Sequence, residues 1–223
     1  NKGSCAQSCR WKYTLMEENN GEYTQVVDNI DPDFFFNTKD LCMIEYIPQI
    51  FDAGITSLKI EGRMKTAYYV ATTVRAYRMA LDEYYKDPEN WKFNPMWLEE
   101  LKKGSHRDYS TGFFLDRPDE NSNNYKSASY IRNYDFIGLV RGYDEESGLY
   151  IVEQRNKMSV GDKIEVIGPY KETMFTTIEE MYDEEGNPIE SAPHARQIVK
   201  MKVGIELKEN YILRKPIEKM RIL

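Results

Sequence analysis

The stretch Ser57–Lys65 constrains the fold most, because it joins a strand pattern to a glycine and a long helical run. Leu58 and Ile60 alternate with charged residues, which is the two-residue period of a strand with one apolar face. Gly62 ends that pattern, and a helix-forming run over 66–85 follows. A strand, a glycine turn and a helix in this order are typical of α/β barrels, which present active-site groups at the carboxyl ends of their strands.

The charged side chains of this stretch form a candidate anion site. Lys59, Arg63 and Lys65 are cations that can hold a phosphate or a carboxylate, and Glu61 can orient one of them. The same spacing is also typical of a solvated strand end with ordinary ion pairs, so both interpretations stay open at this point.

A second motif lies at the start of the chain, where Cys5 and Cys9 flank small polar residues and precede Arg10. Thiolates at this spacing, on a turn beside an arginine, suit a soft metal or an iron–sulfur cluster. Cys42 supplies a third thiol, so one ligand is missing: either a cluster position is open or a cysteine precedes Asn1. The alternative is three unrelated buried thiols.

Charge and composition limit the possible partners. The net charge of −7 argues against bulk attraction to nucleic acid, although the segment 196–221 holds eight Lys or Arg against three acidic residues. That segment is either a basic face for a polyanion or, more commonly, the solvated side of some strands. Three cysteines, no membrane-length apolar run and no signal peptide predict a cytoplasmic protein without a disulfide framework. A start without methionine, directly before the cysteine motif, predicts a fragment of a longer protein.

The order of local patterns predicts an α/β part followed by an all-β part. A hairpin is expected within 13–30, a strand at 34–37, a helix over 39–51 and a short helix within 91–103. Six short strand-like runs separated by turn signals then predict a small antiparallel barrel: 136–140, 149–152, 163–167, 174–178, 197–201 and 211–214. The predicted division is 1–115, a linker over 116–126 rich in Asp, Asn and Ser, and a barrel domain over 127–223.

Four segments together resemble the collagenase-like peptidase family, family U32: GSCAQSCRW (3–11), NTKDLC (37–42), LKIEGRMK (58–65) and YSTGF (109–113). The resemblance covers essentially the whole chain. It implies the carboxyl-terminal part of a (β/α) TIM-like barrel with a cysteine-rich loop, followed by an additional β-barrel domain. The early barrel strands and a further cysteine would lie upstream of this chain.

The resemblance also assigns roles to individual residues. It implies a [4Fe–4S] cluster in the full-length protein, with its fourth ligand upstream of this chain. The implied cluster ligands are Cys5, Cys9 and Cys42; the implied catalytic residues are Lys59, Glu61 and Arg63; the implied substrate-binding residues are Arg10, Lys39, Lys65, Tyr109 and Ser110.

Three functions are compatible with this resemblance. The first is hydroxylation of the wobble uridine of transfer RNA, with prephenate as the linked oxygen donor. The second is a collagenase-like peptidase, for which neither a nucleophile nor a base can be assigned, since the chain has no His-Glu-x-x-His and no Gly-x-Ser-x-Gly motif. The third is a non-catalytic substrate-binding or lid module, because a truncated barrel would be inactive alone.

Overall fold

A computed structural model of the chain describes residues 6–26, 34–115, 117, 119, 122–125, 127–169 and 172–222, with the backbone alone for 218–222. The chain forms two compact units, one of residues 1–45, 106–131 and 222–223 and the other of residues 46–105 and 132–221. The helical segment 46–105 therefore groups with the terminal barrel. The sequence-based division at 116–126 stays a prediction.

The first unit is built from short strands. β1 (Met16–Asn19) and β2 (Glu22–Gln25) form an antiparallel hairpin, which confirms the hairpin prediction. Its turn residues Asn20 and Gly21 have φ values of 54° and 84°, as the two central positions of a type I′ turn require.

A second pair of strands in this unit is parallel. β3 (Asp40–Leu41) pairs with β4 (Tyr109–Ser110). The two strands are far apart in the sequence: Arg107, two residues before β4, is 67 residues after Asp40. Parallel strands bring their carboxyl ends to the same edge, so the residues after Leu41 and after Ser110 lie side by side.

Three helices belong to the second unit. α1 (Ile47–Asp52) is shorter than the predicted helix over 39–51, because residues 40–41 pair as a strand and residues 44–46 form a 3-10 turn. Pro48 lies in the first turn of α1, where no N–H donor is needed. The Thr66 side chain accepts a hydrogen bond from the Tyr69 N–H at the start of α2 (Ala67–Lys86). Asn94 caps α3 (Pro95–Lys102) in the same way, through the Met96 N–H. No helix among the described residues is long and apolar enough to cross a membrane.

The rest of the second unit is a closed barrel of six strands in the order β11-β6-β5-β12-β8-β9. The eight strands of this part are β5 (Ile131–Asp144), β6 (Leu149–Gln154), β7 (Met158–Ser159), β8 (Lys163–Ile167), β9 (Met174–Tyr182), β10 (Ser191–Ala192), β11 (Ile198–Val203) and β12 (Ile212–Ile222). β7 and β10 form a separate short pair. Alternate residues of the barrel strands fill its core, among them Ile137, Val152, Val166, Ile178, Val199, Met201 and Leu213.

The mixed α/β first part and the six-stranded antiparallel barrel confirm the predicted fold class. Two predicted strands of the first part are wrong in detail. Residues 34–37 form a turn, closed by the Asn37 N–H donating to the Phe34 carbonyl at 3.2 Å, and 55–62 is an irregular segment. A strand needs a neighbour for its backbone N–H and C=O groups, and neither segment pairs along its length with another described strand.

A buried ion-pair network joins the helices to the barrel within the second unit. Arg214 of β12, 0 % exposed, donates from both Nη atoms to Glu100 of α3 at 2.8 and 2.7 Å and from Nε to Glu165 of β8 at 2.9 Å. Arg75 of α2 reaches Glu100 at 2.9 Å, and Lys103 reaches Glu165 at 2.9 Å. We call these five residues the Arg214 network.

The network sets the protonation of its members. Burial alone would lower the pKa of Arg214, but the hydrogen bonds to Glu100 raise it above the ordinary value. Burial would likewise raise the pKa of Glu100, but the hydrogen bonds from Arg214 outweigh it and lower that pKa. Nearby, burial raises the pKa of Tyr68 to about 12. Both charges of the Glu100–Arg214 pair are therefore kept at neutral pH.

Candidate functional site

The candidate site lies in the first unit, where β3 and β4 end. The Cys42 N–H, one residue beyond β3, donates to the Ser110 carbonyl at 2.9 Å. The backbone of Cys42 is therefore held beside Ser110, and its side chain is half-buried. The structure brings together one predicted cluster ligand and two predicted substrate-binding residues.

Arg10 ties the segment that carries Cys9 to the segment that leads into β3. Its Nη1 donates to the Asn37 Oδ1 and to the Thr38 carbonyl, each at 2.7 Å. Asn37 is fully buried, and its Nδ2 in turn donates to the carbonyls of Asn124 and Ser127, each at 2.7 Å. Part of the Arg10 guanidinium is thus used to hold the backbone; its predicted role in substrate binding stays a prediction.

The thiols can be tested against the ligand set that the resemblance implies. Cys9 is exposed on a short 3-10 turn (Ser8–Arg10), and neither Cys9 nor Cys42 is in a disulfide. Cys5 lies outside the described residues. In the described part of the chain, no three His, Cys, Asp or Glu side chains collect where they could hold a metal ion. The donor chemistry suits an iron–sulfur cluster, but the described residues do not complete its ligand set.

Sequence reasoning missed the buried support of this site. Arg107 donates from Nη1 to the Asp40 Oδ1 at 3.2 Å and from its backbone N–H to the Asp40 Oδ2 at 3.0 Å. Its guanidinium lies over the Tyr130 ring, 4.0 Å from the centroid. The only local signal is an arginine in the loop before β4, and nothing in the sequence shows that its partner precedes Leu41.

One of the two histidines of the chain, His106, lies in the same loop. His106 is 4 % exposed and stacks on Tyr109, with ring centroids 5.2 Å apart. Its backbone N–H and carbonyl pair with Ile131 at 3.2 and 2.7 Å. The imidazole thus serves the packing of the first unit.

Lys39, a predicted substrate-binding residue, precedes β3 and is half-buried. Its backbone N–H donates to the Ser122 carbonyl at 3.3 Å. Its role toward a substrate stays a prediction.

The predicted catalytic residues Lys59, Glu61 and Arg63 lie in the second unit and are exposed. Glu61 accepts from the backbone N–H of Arg63 at 2.9 Å, so it closes a local turn. Lys65 donates to the Ser105 carbonyl at 3.4 Å and lies over the Tyr69 ring. The catalytic roles of Lys59, Glu61 and Arg63 and the substrate-binding role of Lys65 stay predictions.

Several cations of the basic segment 196–221 are paired with acids in the described part of the chain. Lys200 pairs with Asp144 at 2.6 Å, Lys202 with Glu180 at 2.8 Å and Lys215 with Asp162 at 2.5 Å. The hydrogen bond from Lys200 lowers the pKa of Asp144 to about 2. Arg214 of the same segment is buried in the Arg214 network. Four of the eight basic residues, Lys200, Lys202, Arg214 and Lys215, are thus matched by acids that are distant in sequence.

Comparison with known proteins shows relatives named for tRNA hydroxylation and relatives named as proteases or collagenases. A "tRNA hydroxylation protein P1" of Bacillus subtilis is 41% identical over 96% of this chain and 51% of its own length. A "Collagenase" of Porphyromonas gingivalis is 29% identical over 81% of this chain and 43% of its own length. The chain therefore spans about half the length of these curated relatives.

One similar solved structure is the selenomethionine variant of the C-terminal domain of a Geobacillus thermoleovorans putative U32 peptidase. It is 44% identical in sequence, and the match covers 36% of this chain and 99% of the solved chain, with a TM-score of 0.34. Two family models match in succession: "Peptidase family U32" over residues 1–124 and "Peptidase family U32 C-terminal domain" over residues 132–214. Since the first match alone covers more than half of the sequence, the chain belongs to peptidase family U32.

Proposed function

We propose that this chain is part of a U32 protein that hydroxylates the wobble uridine of transfer RNA, with a [4Fe–4S] cluster held by Cys5, Cys9 and Cys42 and prephenate as the oxygen donor. The relative named for tRNA hydroxylation supports this most, because it is 41% identical over nearly the whole chain. The relative named as a collagenase matches at lower identity and over less of the chain.

The observation that carries the proposal is the fixed position of Cys42 beside Ser110, with Arg10 tying the segment of Cys9 to the strand that ends there. Such a cluster, when bound, supplies one-electron chemistry. Among the described residues, Asn37 anchors Arg10, which directly follows Cys9, and Asp40, two residues before Cys42, anchors Arg107.

The peptidase alternative has less support from the site. Cysteine or serine hydrolases need a nucleophile next to a general base. Of the two histidines of the chain, His106 is packed against Tyr109 and His194 is exposed in the barrel unit. Neither observation favours a nucleophile–base pair.

The proposal is tested on the natural full-length protein by changing Cys42→Ser. We expect iron content and visible absorption of the anaerobically purified protein to fall by more than half, since one thiolate ligand is lost. Hydroxylated uridine in the transfer RNA of cells that carry only this variant should fall toward the level of cells without the gene. Mass spectrometry of digested transfer RNA measures it.

Ser110→Ala is the matched control, because Ser110 contributes to the Cys42 contact through its backbone carbonyl, which the change retains. We expect this variant to keep its iron. Full iron in Cys42→Ser would contradict the ligand assignment. Normal uridine hydroxylation in cells without the gene, together with gelatin cleavage by the purified protein, would favour the peptidase.

A further inference from the structure

Besides the Arg214 network, the described part of the barrel carries a group of charges that is not neutralised pair by pair. Glu153 of β6 accepts from the Nε of Arg141 on β5 at 2.8 Å, and the Arg141 Nη2 donates to the same oxygen. Its other oxygen lies 2.9 Å from the Nη2 of Arg155 and 3.8 Å from the Nε of Arg196. We call these four residues the Glu153 cluster.

Two local irregularities of the backbone place the arginines around Glu153. Arg141 sits where the β5–β6 register shifts between Val140 and Gly142, and a bulge of this kind redirects a side chain. Arg196 has a φ of 63°, which is uncommon for a residue with a side chain. Its N–H donates to the Gln154 carbonyl at 3.2 Å, which fixes this turn to the end of β6.

The cluster combines a buried carboxylate with exposed cations. The Glu153 side chain is 10 % exposed, whereas those of Arg141 and Arg196 are 42 % and 78 % exposed. One carboxylate neutralises only one of three guanidinium groups and accepts only part of their N–H donors. In the described part of the chain, the buried Nε of Arg155 has no hydrogen-bond partner. Positive charge and donors are thus left over at the surface, unlike at the one-to-one pairs of Lys200, Lys202 and Lys215.

We propose that the Glu153 cluster binds a phosphate group of an RNA backbone. The inference rests on the proposed function, which makes transfer RNA the partner. Guanidinium groups match phosphate oxygens in geometry, and three of them around one carboxylate leave net positive charge and N–H donors for an added anion. Contacts to phosphate position an RNA without reading its sequence, so the barrel would hold the transfer RNA while another part of the protein selects the base.

The test is the Arg196→Gln variant of the natural full-length protein. Arg196 is chosen because it is the most exposed of the three arginines and makes the longest contact, so its loss should leave the unfolding midpoint unchanged. We expect transfer RNA to bind about three- to tenfold more weakly near 0.1 M salt. The slope of log affinity against log salt should become shallower by about one, as the loss of one phosphate contact requires.

Lys202→Gln is the matched control, since it removes one formal charge from the same barrel, but that charge is already paired with Glu180 at 2.8 Å. A smaller loss of affinity is expected there. Arg141→Lys gives a second measurement, because it keeps the positive charge but removes the paired N–H donors of the guanidinium group. We expect its loss of affinity for transfer RNA to lie between those of the other two variants.

Wild-type binding by Arg196→Gln at every salt concentration, or a loss equal to that of Lys202→Gln, would overturn the proposal. Arg196-dependent binding to vesicles of anionic phospholipid, with transfer RNA binding unaffected, would overturn it as well. Uridine hydroxylation is measured separately. RNA binding that depends on Arg196 without any hydroxylation would refute the proposed reaction only, and hydroxylation with binding indifferent to Arg196 would refute the phosphate site only.

Discussion

Glu100 shows at the residue scale how pairing can overcome the cost of burial. The side chain is 4 % exposed, and an isolated carboxylate there would be protonated. Two hydrogen bonds from Arg214 and one ion pair with Arg75 keep it ionised and lower its pKa. A buried pair of this kind need not exceed apolar packing in stability, but removal of one partner leaves the other charge buried and unpaired.

We therefore expect Glu100→Gln to lower the free energy of unfolding by about 3 kcal/mol. Glu99→Gln, on the neighbouring exposed position, loses only a surface pair with Lys102 and should change stability by at most about 0.5 kcal/mol. Urea unfolding of both variants at pH 7 measures the difference.

The same pair predicts a pH dependence. Because the pKa of Glu100 is lowered on folding, its stabilisation is present above the unfolded-state value of about 4.3 and is lost as the pH falls through the lower folded-state value. The gap between wild type and Glu100→Gln should be widest near neutral pH and shrink in acid. A gap that stays constant down to about pH 3 would contradict this assignment of the stabilisation.

Elements were predictable where local patterns decide them. The observed helix α2 (Ala67–Lys86) matches the predicted helical run over 66–85 to within one residue at each end, and all six strand-like runs of the second half overlap barrel strands. The segment 57–60 shows the limit, because a two-residue period specifies which side chains share a face but not whether a neighbouring strand exists. The candidate site shows the same limit: the cysteine spacing is local, whereas the pairs Arg10–Asn37 and Arg107–Asp40 form across 27 and 67 residues.

The junction of β8 and β12 gives a test at the scale of an element. A Cβ added at Gly168, just after β8, would lie 2.3 Å from the ring of the buried Tyr211. We expect Gly168→Ala to destabilise the barrel by about 1–3 kcal/mol, because the ring must shift within a packed core. Gly142→Ala is the control, since nothing lies within 4 Å of its added Cβ. Thermal unfolding compares them, and equal midpoints would show that Tyr211 can move freely.

At the scale of the whole molecule, contacts and composition divide the chain differently. The Asp-, Asn- and Ser-rich stretch 116–126 predicts a linker before an autonomous barrel, whereas the contacts group the helical segment 46–105 with that barrel. Two features join these segments: the apolar cluster of Tyr68, Ile167 and Ile212, and the Arg214 network, whose Arg214–Glu100 pair spans 114 residues. Composition cannot reveal a pair at that separation, because each partner alone has the sequence pattern of an ordinary surface charge.

Arg214→Met tests whether the Arg214 network stabilises the barrel itself or the packing of the helices against it. The barrel core consists of residues from 137 onward, so the isolated segment 132–223 should still fold. The isolated segment lacks Glu100, so its Arg214 side chain is exposed to solvent. Replacing Arg214 in this segment should therefore change the free energy of unfolding by less than about 1 kcal/mol. In the complete chain the same change leaves Glu100 and Glu165 buried with only Arg75 and Lys103, and should cost about 3 kcal/mol. Urea unfolding of the four proteins measures both values. An equal cost in the two contexts would mean that Arg214 stabilises the barrel by itself and that the helices are held by apolar packing alone.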